Sequence, residues 1–205
     1  MTHTRVDVAG RRSITNIGRD YEFTEVKVID PETGEECPVG VQGEMCNRGY
    51  NTMKGYYKNQ QATDEVIDKN GFLHSGDLGV KDENGNYRIT GRIKDMIIRG
   101  GENIYPREIE EFLYKIEGIK DVQVAGIPSK RYGEAVGAFI ILHEGAEMNE
   151  FDVREFCEGK IARYKIPKYI FFIKEFPMTG SGKIQKYKLK DLGLELCAKQ
   201  GIEII

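Results

Sequence analysis

The sequence predicts an α+β protein, with a mostly β N-terminal subdomain followed by a small α+β domain with a three-stranded sheet and packed helices. Up to about residue 92, short runs of alternating apolar and polar residues are separated by turn residues, which is typical of half-buried strands. From residue 93 onward, helical and strand-like patterns alternate. We therefore expect two domains, residues 1–92 and residues 93–205, joined near Lys94.

The N-terminal domain is expected to contain mainly strands. Val26 and Val28 alternate with charged residues, and the pair Asn84 and Gly85 between two strand-like runs is a strong hairpin signal. Residues 1–18 are polar and lack a periodic pattern, so we expect them to be poorly ordered. The expected elements are strands at residues 21–29 and 43–48, a short helix at 63–68 and a hairpin at 80–89.

The C-terminal domain is expected to pack helices on one face of a small sheet. Ile109 and Leu113 lie at helical spacing in an apolar stripe that must be buried, and Phe151 and Phe156 are expected to face inward. The expected elements are helices at residues 106–117, 150–163 and 186–198, and strands at 122–127, 136–142 and 169–173.

Composition excludes several classes of function. The 30 Lys and Arg residues nearly balance the 33 Asp and Glu residues, so we expect no nucleic-acid partner. Four widely spaced cysteines and three histidines fit neither a zinc site nor a disulfide framework, so no metal site is predicted. The N-terminus lacks the apolar centre of a signal peptide, and no run approaches the roughly 20 apolar residues of a membrane span. We expect a cytoplasmic chain without a transmembrane segment.

Three loops carry residues that could bind a sugar or an anion. Asp77 follows a glycine and could accept hydrogen bonds from a diol, although capping of the local turn explains it equally well. Arg92 could reach a phosphate or the same sugar, but surface arginines are common. Lys183 ends a Thr-Gly-Ser-Gly loop that could aim a cation at an anion or simply form a mobile turn. This loop is not a Walker phosphate loop, because Ile184 stands where Ser or Thr must hold magnesium.

Gly100 and Gly101 follow a short apolar strand at residues 96–98. Two adjacent glycines can take backbone angles that are closed to other residues. The chain can therefore turn tightly there and lie close against a ligand.

Together, the order and spacing of these motifs resemble the adenylate-forming superfamily of acyl-CoA synthetases, adenylation domains and luciferases. Residues 50–57 and 97–106 are most similar to medium-chain fatty acyl-CoA synthetases. The resemblance covers residues from about 20 to 190. Its matching segments are residues 43–57, Ser75-Gly76-Asp77, residues 91–110, residues 166–169 and residues 177–183.

The resemblance implies that a carboxylic acid, such as a medium-chain fatty acid, reacts with ATP to give an acyl-adenylate, and that coenzyme A then takes the acyl group. Asp77 would accept hydrogen bonds from the ribose hydroxyls, and Arg92 would contact ribose or phosphate. Lys183 would bridge the carboxylate and the α-phosphate during adenylation. Lys94 would be the hinge for rotation of the small domain, and the turn at Gly100 and Gly101 would line the pantetheine passage. Mg²⁺ is expected with ATP, with its ligands outside this chain.

Three positions depart from the family pattern. Ser75 replaces the usual threonine, and Lys186 replaces a frequent arginine, which keeps the charge but loses bidentate geometry. Asn103 stands where many relatives carry Gln, Arg or His near the adenylate phosphate, and we retain it as a candidate adenylate contact.

The family's upstream phosphate loop and its Tyr-Gly-x-Thr-Glu motif do not occur in this sequence. The resemblance therefore implies the C-terminal part of a synthetase that needs its missing N-terminal part as a partner and is inactive alone. Alternatives are an aryl-acid ligase, another adenylating enzyme such as a peptide-synthetase adenylation domain, or a non-enzymatic module that binds a nucleotide or a protein.

Overall fold

The computed structural model describes residues 2–3 and 16–204, with only the backbone described at His3. It divides the chain into two compact units, Met1–Lys94 and Asp95–Ile205. No helix within the described residues is both long and apolar enough to cross a membrane.

The N-terminal unit contains a four-stranded antiparallel sheet in the order β3-β4-β5-β6, together with a small β1-β2 pair and one short helix. The predicted strands and the hairpin around Gly85 are confirmed. The bounds of these elements are β1 Thr2–His3, β2 Arg19–Asp20, β3 Thr24–Ile29, β4 Gly43–Gly49, α1 Gln60–Asp64, β5 Leu73–Lys81 and β6 Tyr87–Arg92.

Alternation in β3 builds the core of this unit. Val26 and Val28 are buried, and Tyr87 is fully buried against them with its hydroxyl donating to the carbonyl oxygen of Val26 at 3.0 Å.

Two N-terminal predictions need correction. Helix α1 begins earlier than predicted because the side chain of Asn59 caps it. Poor order was predicted for residues 1–18, but Thr2–His3 pair with β2, and residues 4–15 lie outside the described residues.

The C-terminal unit is built around strand β10 of a five-stranded sheet. Strand β9 pairs with β10 antiparallel along nearly its whole length, and β11 pairs with it parallel. The α+β class is confirmed, but the sheet has five strands instead of three because the β7-β8 hairpin joins it at Gly133. The elements are β7 Ile97–Arg99, β8 Glu102–Ile104, α2 Pro106–Leu113, β9 Ile119–Ser129, β10 Gly133–Leu142, α3 Glu150–Cys157, β11 Tyr169–Phe172 and α4 Tyr187–Gln200.

The helices of this unit cover both faces of the sheet, so the prediction of a single covered face is wrong. Successive strand residues point to opposite faces. Val122 and Val124 of β9 share a buried cluster with residues of α2 and α3, whereas Ile127 lies in a second cluster with Leu189 of α4. Helices α2 and α3 therefore pack on one face of the sheet and α4 packs on the other.

Helix α3 has a different buried face from the one predicted. Phe151 is 69% exposed, and Val153 and Cys157 are the buried positions instead. Val153 and Cys157 are four positions apart and so share one face of the helix, which joins the buried cluster with α2, whereas Phe151 lies on another face. A capping box formed by Asn149 and Asp152 begins the helix at Glu150, as predicted. Helices α2 and α3 also end before the predicted residues 117 and 163.

Candidate active site

Asp77 lies on a bulge in strand β5. Glu44 pairs with Leu78 and Cys46 pairs with His74, so three residues of β5 oppose Met45 alone. Gly76 supplies the positive φ of 72° that this bulge needs. Bulges of this kind redirect side chains away from the regular pleat. The local backbone thus turns Asp77 out of the regular pleat, opposite Arg92 at the end of β6.

Two side chains fix the bulge. The carboxylate of Glu44, which is buried, accepts the N–H of Gly76 at 2.8 Å and lies 2.7 Å from Nδ1 of His74. The hydroxyl of Ser75 donates to the carbonyl oxygen of Met45 at 2.6 Å. Ser75 is the position where a threonine is usual, and its hydroxyl fills this structural role. Sequence reasoning missed Glu44, although it lies in the segment 43–57 that resembles the family.

Arg92 and Asp77 are partners across the β5-β6 pair. Nε of Arg92 donates to Oδ1 of Asp77 at 2.9 Å, and the two side chains are 68% and 33% exposed. A carboxylate can accept about four hydrogen bonds. Asp77 therefore keeps acceptor capacity for a diol, while Arg92 keeps N–H groups for a sugar or a phosphate. The structure brings these two predicted residues together.

Glu44, Cys46 and His74 place three possible metal-ligand atoms within 4.8 Å of one another. Their contacts are explained by hydrogen bonding, since Sγ of Cys46 lies 3.4 Å from Nδ1 of His74, which also contacts Glu44. Burial raises the pKa of the Cys46 thiol to about 12, so the neutral thiol is the form that takes part in this hydrogen-bonded cluster. The cluster therefore fits a hydrogen-bonded support for the bulge that carries Asp77.

Gly100 and Gly101 form the turn between β7 and β8. Their φ angles are 61° and 91°, and positive φ at both positions is the mark of a type I′ hairpin turn. A Cβ on Gly101 would meet nothing within 4 Å among the described residues. Backbone conformation, and not crowding inside the described chain, is therefore what favours glycine here. The open space leaves this turn accessible to a ligand.

The hairpin is fastened to the start of β10. Gly100 donates its N–H to the carbonyl oxygen of Tyr132 at 2.9 Å, and Ile98 donates its N–H to Glu134 at 3.0 Å. The guanidinium of Arg99 lies over the Tyr132 ring at 4.8 Å. Asn103 is exposed on β8, opposite Ile98. Asn103 and the two glycines thus share one anchored hairpin.

Lys183 lies on a tight turn. The N–H of Thr179 donates to the carbonyl oxygen of Lys183 at 2.8 Å, and the N–H of Lys183 returns a bond to Oγ1 of Thr179 at 3.1 Å. The N–H of Gln185 donates to the carbonyl oxygen of Pro177 at 2.8 Å, closing the base of the turn. The side chain of Lys183 is exposed and, among the described residues, has no ion-pair partner. A cation presented in this way can bind an anion.

Two further lysines, Lys94 and Lys186, lie at positions that the sequence singled out. Lys94 is exposed on a single 3-10 turn, Ile93–Asp95, at the boundary of the two units. Lys186 donates to the buried carboxylate of Glu110 at 2.6 Å. Sequence reasoning noted the charge of Lys186 but missed this partner. The available signal was the position of Glu110 directly after Ile109, at the edge of the buried helical stripe.

Two family models match parts of the chain. The AMP-binding enzyme model matches residues 1–57, and the AMP-binding enzyme C-terminal domain model matches residues 108–183. A Bacillus subtilis (strain 168) protein named "Putative acyl-CoA synthetase YngI" is 51% identical over 196 residues, which cover 96% of this chain and 36% of that protein. The mitochondrial medium-chain acyl-CoA ligase ACSF2 of Danio rerio is 47% identical over 186 residues, covering 91% of this chain and 30% of that protein.

Solved structures give the same picture. The crystal structure of ATP-bound MatB from Rhodopseudomonas palustris matches with a TM-score of 0.86 and 35% identity, covering 91% of this chain and 37% of that chain. The chain thus spans about a third of the length of the relatives it matches.

Proposed function

This chain belongs to the adenylate-forming, or AMP-binding, superfamily, as its motifs predict, and we propose that it supplies the C-terminal part of an ATP-dependent acyl-CoA synthetase. The proposed reaction converts a carboxylic acid, ATP and coenzyme A into acyl-CoA, AMP and pyrophosphate by way of an acyl-adenylate. The observation that carries the proposal is the exposed Lys183 at the end of its tight turn, because both the substrate carboxylate and the α-phosphate are anions.

In the first proposed half-reaction, a carboxylate oxygen attacks the α-phosphorus of ATP, and the bond to the pyrophosphate leaving group breaks. Lys183 would stabilise the negative charge that builds on the oxygens in this step, as a positioned cation does. Asp77 would accept hydrogen bonds from the ribose, and Arg92 would hold Asp77 in place while contacting ribose or phosphate. Asn103 would contact the adenylate. Mg²⁺ would neutralise part of the phosphate charge, with its ligands outside this chain.

In the second proposed half-reaction, the thiol sulfur of coenzyme A attacks the acyl carbonyl carbon, and the bond to AMP breaks. We propose that the C-terminal unit turns about Lys94 between the two steps, since the boundary of the units falls there. The turn at Gly100 and Gly101 carries no side chain, and a Cβ on Gly101 would meet no described residue within 4 Å, which suits a narrow passage for pantetheine.

The proposed acid is a medium-chain fatty acid. The support is the similarity to ACSF2, which is named as a medium-chain acyl-CoA ligase. The cytoplasmic location stays a prediction from the sequence.

The test uses a complete synthetase in which this chain supplies the C-terminal part. ATP–pyrophosphate exchange is measured with acetate, octanoate, palmitate and benzoate, and octanoate is expected to give the highest kcat/KM. Preference for benzoate would establish an aryl-acid ligase instead. Lys183→Ala should lower exchange by about 10²–10³-fold, as loss of a charge-stabilising group does, whereas the exposed Lys174→Ala serves as the matched control.

The 205-residue chain alone is expected to form no acyl-CoA, because it spans about a third of the length of its relatives. Robust ATP–pyrophosphate exchange by these residues alone would contradict that expectation. Nucleotide binding by the complete protein without exchange for any acid would favour a non-enzymatic module.

A further inference from the structure

A largely buried ion pair connects helix α2 to the exit of the Lys183 turn. Nζ of Lys186 donates to Oε1 of Glu110 at 2.6 Å, and the same oxygen accepts the N–H of Val124 in β9 at 2.8 Å. Lys186 follows directly after Gln185, whose N–H closes the base of the turn. The contact therefore fastens one end of the turn to the helix and the sheet.

The burial of Glu110 makes its pairing with Lys186 necessary. Glu110 is only 8% exposed, and a buried carboxylate is costly unless it is paired and hydrogen-bonded. Because Val124 supplies a single N–H, Lys186 is the cation that compensates the charge of Glu110. Displacement of Lys186 would leave that charge buried, so the exit of the turn is held in one position.

Helix α2 also carries a second ion pair, between Glu108 and Lys165, which can be compared with the first. Lys165 donates to both oxygens of Glu108 at 2.6 and 2.8 Å, but the side chain of Glu108 is 50% exposed. Exposed ion pairs of this kind contribute little to stability. The lysine of this pair lies on a separate 3-10 turn, Arg163–Lys165, and not next to the Lys183 turn. The two pairs thus share chemistry and helix but differ in the burial of the carboxylate and in what they hold.

We propose that Glu110 and Lys186 are positioning residues that act through the turn to fix Lys183 for adenylation. The catalytic part of this inference rests on the proposed function, whereas the structural part does not. The pair joins the segment 91–110, which contains Glu110, to Lys186, three positions beyond the segment 177–183. Helix α2 and the adjoining sheet thereby become the support of the reactive lysine.

The structural part is tested by hydrogen exchange in the 205-residue chain. Lys186→Met and Glu110→Gln should accelerate exchange of the Thr179 and Gln185 amides about tenfold, since the charge-assisted contact that holds the turn is lost. Glu110→Gln keeps an oxygen for Val124 and so guards against unfolding. Lys165→Met and Glu108→Gln should leave both amides unchanged, and Lys186→Arg should restore protection. Unchanged exchange in Lys186→Met would overturn the inference.

The catalytic part is tested in the complete synthetase. Lys186→Met should lower adenylation by about 10- to 100-fold, as misplacement of a reactive group does, while thioester formation from supplied acyl-adenylate stays near the level of the unsubstituted enzyme. Rescue by Lys186→Arg supports the role. Equal loss in both half-reactions would show a merely structural pair and overturn it. If Lys183→Ala leaves adenylation intact while the exchange results hold, the proposed function fails and the anchoring of the turn stands.

Discussion

Nε of Arg92 lies 2.9 Å from Oδ1 of Asp77, across the last pair of strands in the N-terminal unit. The contact joins a residue on a bulge to a residue at the end of the neighbouring strand. Arg92 thereby fixes the orientation of the carboxylate while leaving acceptor sites on it free. This arrangement suits recognition of two adjacent hydroxyl groups.

Asp77→Ala should remove the preference of the complete synthetase for ATP over 2′,3′-dideoxy-ATP. Hydrogen bonds to a charged group contribute about 1.5–3 kcal/mol, so the unsubstituted enzyme should prefer ATP by about 10- to 100-fold. Competitive binding of the two nucleotides measures the preference. Glu83→Ala, which removes an exposed carboxylate from the loop joining the same strands, is the control. A preference that survives Asp77→Ala would contradict the ribose role.

Glu44→Ala should destabilise the chain by about 1–3 kcal/mol, because it leaves the N–H of Gly76 without its buried acceptor. Urea unfolding measures the change. Glu25→Ala breaks only the exposed pairs with Arg48 and Lys27 and should cost less than about 1 kcal/mol. The Asp77-dependent preference for ATP should weaken in Glu44→Ala as well. Equal destabilisation by both substitutions would argue against the support of the bulge by Glu44.

Thiol reactivity should separate the four cysteines. Cys37 is half-exposed, whereas Cys46, Cys157 and Cys197 are buried. At pH 8, iodoacetamide should modify Cys37 first, and mass spectrometry should find the other adducts only after denaturation. Rapid modification of Cys46 in the folded chain would contradict its burial.

The pKa values also predict a pH dependence. Burial raises the pKa of the Cys46 and Cys157 thiols from 9.0 to about 12 and about 11. The neutral thiols therefore favour the folded state fully below pH 9.0, and this contribution is lost as the pH rises through the folded values. Urea midpoints measured at pH 8 and pH 10.5 should show the decline. The variant Cys46→Ala should show a smaller decline, and an identical decline would contradict this assignment.

Local sequence patterns correctly predicted the elements that depend on local interactions. Val26 and Val28 alternate because one face of their strand is buried, and Gly85 marks the hairpin because its turn requires a positive φ. The inward orientation predicted for Phe151 was wrong because Val153 and Cys157, on another face of the same helix, join the buried cluster with α2. The face covered by α4 could not be predicted, since both faces of the sheet offer apolar residues.

Long-range contacts account for the residues that were missed. Glu110 and Lys186 are 76 positions apart, and Glu44 and Gly76 are 32 positions apart. Nothing in a short window indicates such a partner, because a charged residue looks the same whether it is solvated or paired. The loop patterns singled out Asp77, Arg92 and Lys183 and the resemblance to a family suggested their roles, whereas the contacts that hold them required the structure.

We propose that two turns of the C-terminal unit, one at Lys183 and one at Gly100 and Gly101, serve two different half-reactions. In the complete synthetase, Lys183→Ala should abolish most adenylation and leave thioester formation from supplied acyl-adenylate largely intact. Gly101→Leu should do the opposite. Gly145→Leu, at another glycine with positive φ and open space, controls for backbone strain. We expect this crossed pattern, and equal losses in both half-reactions for both variants would contradict the assignment of the two turns.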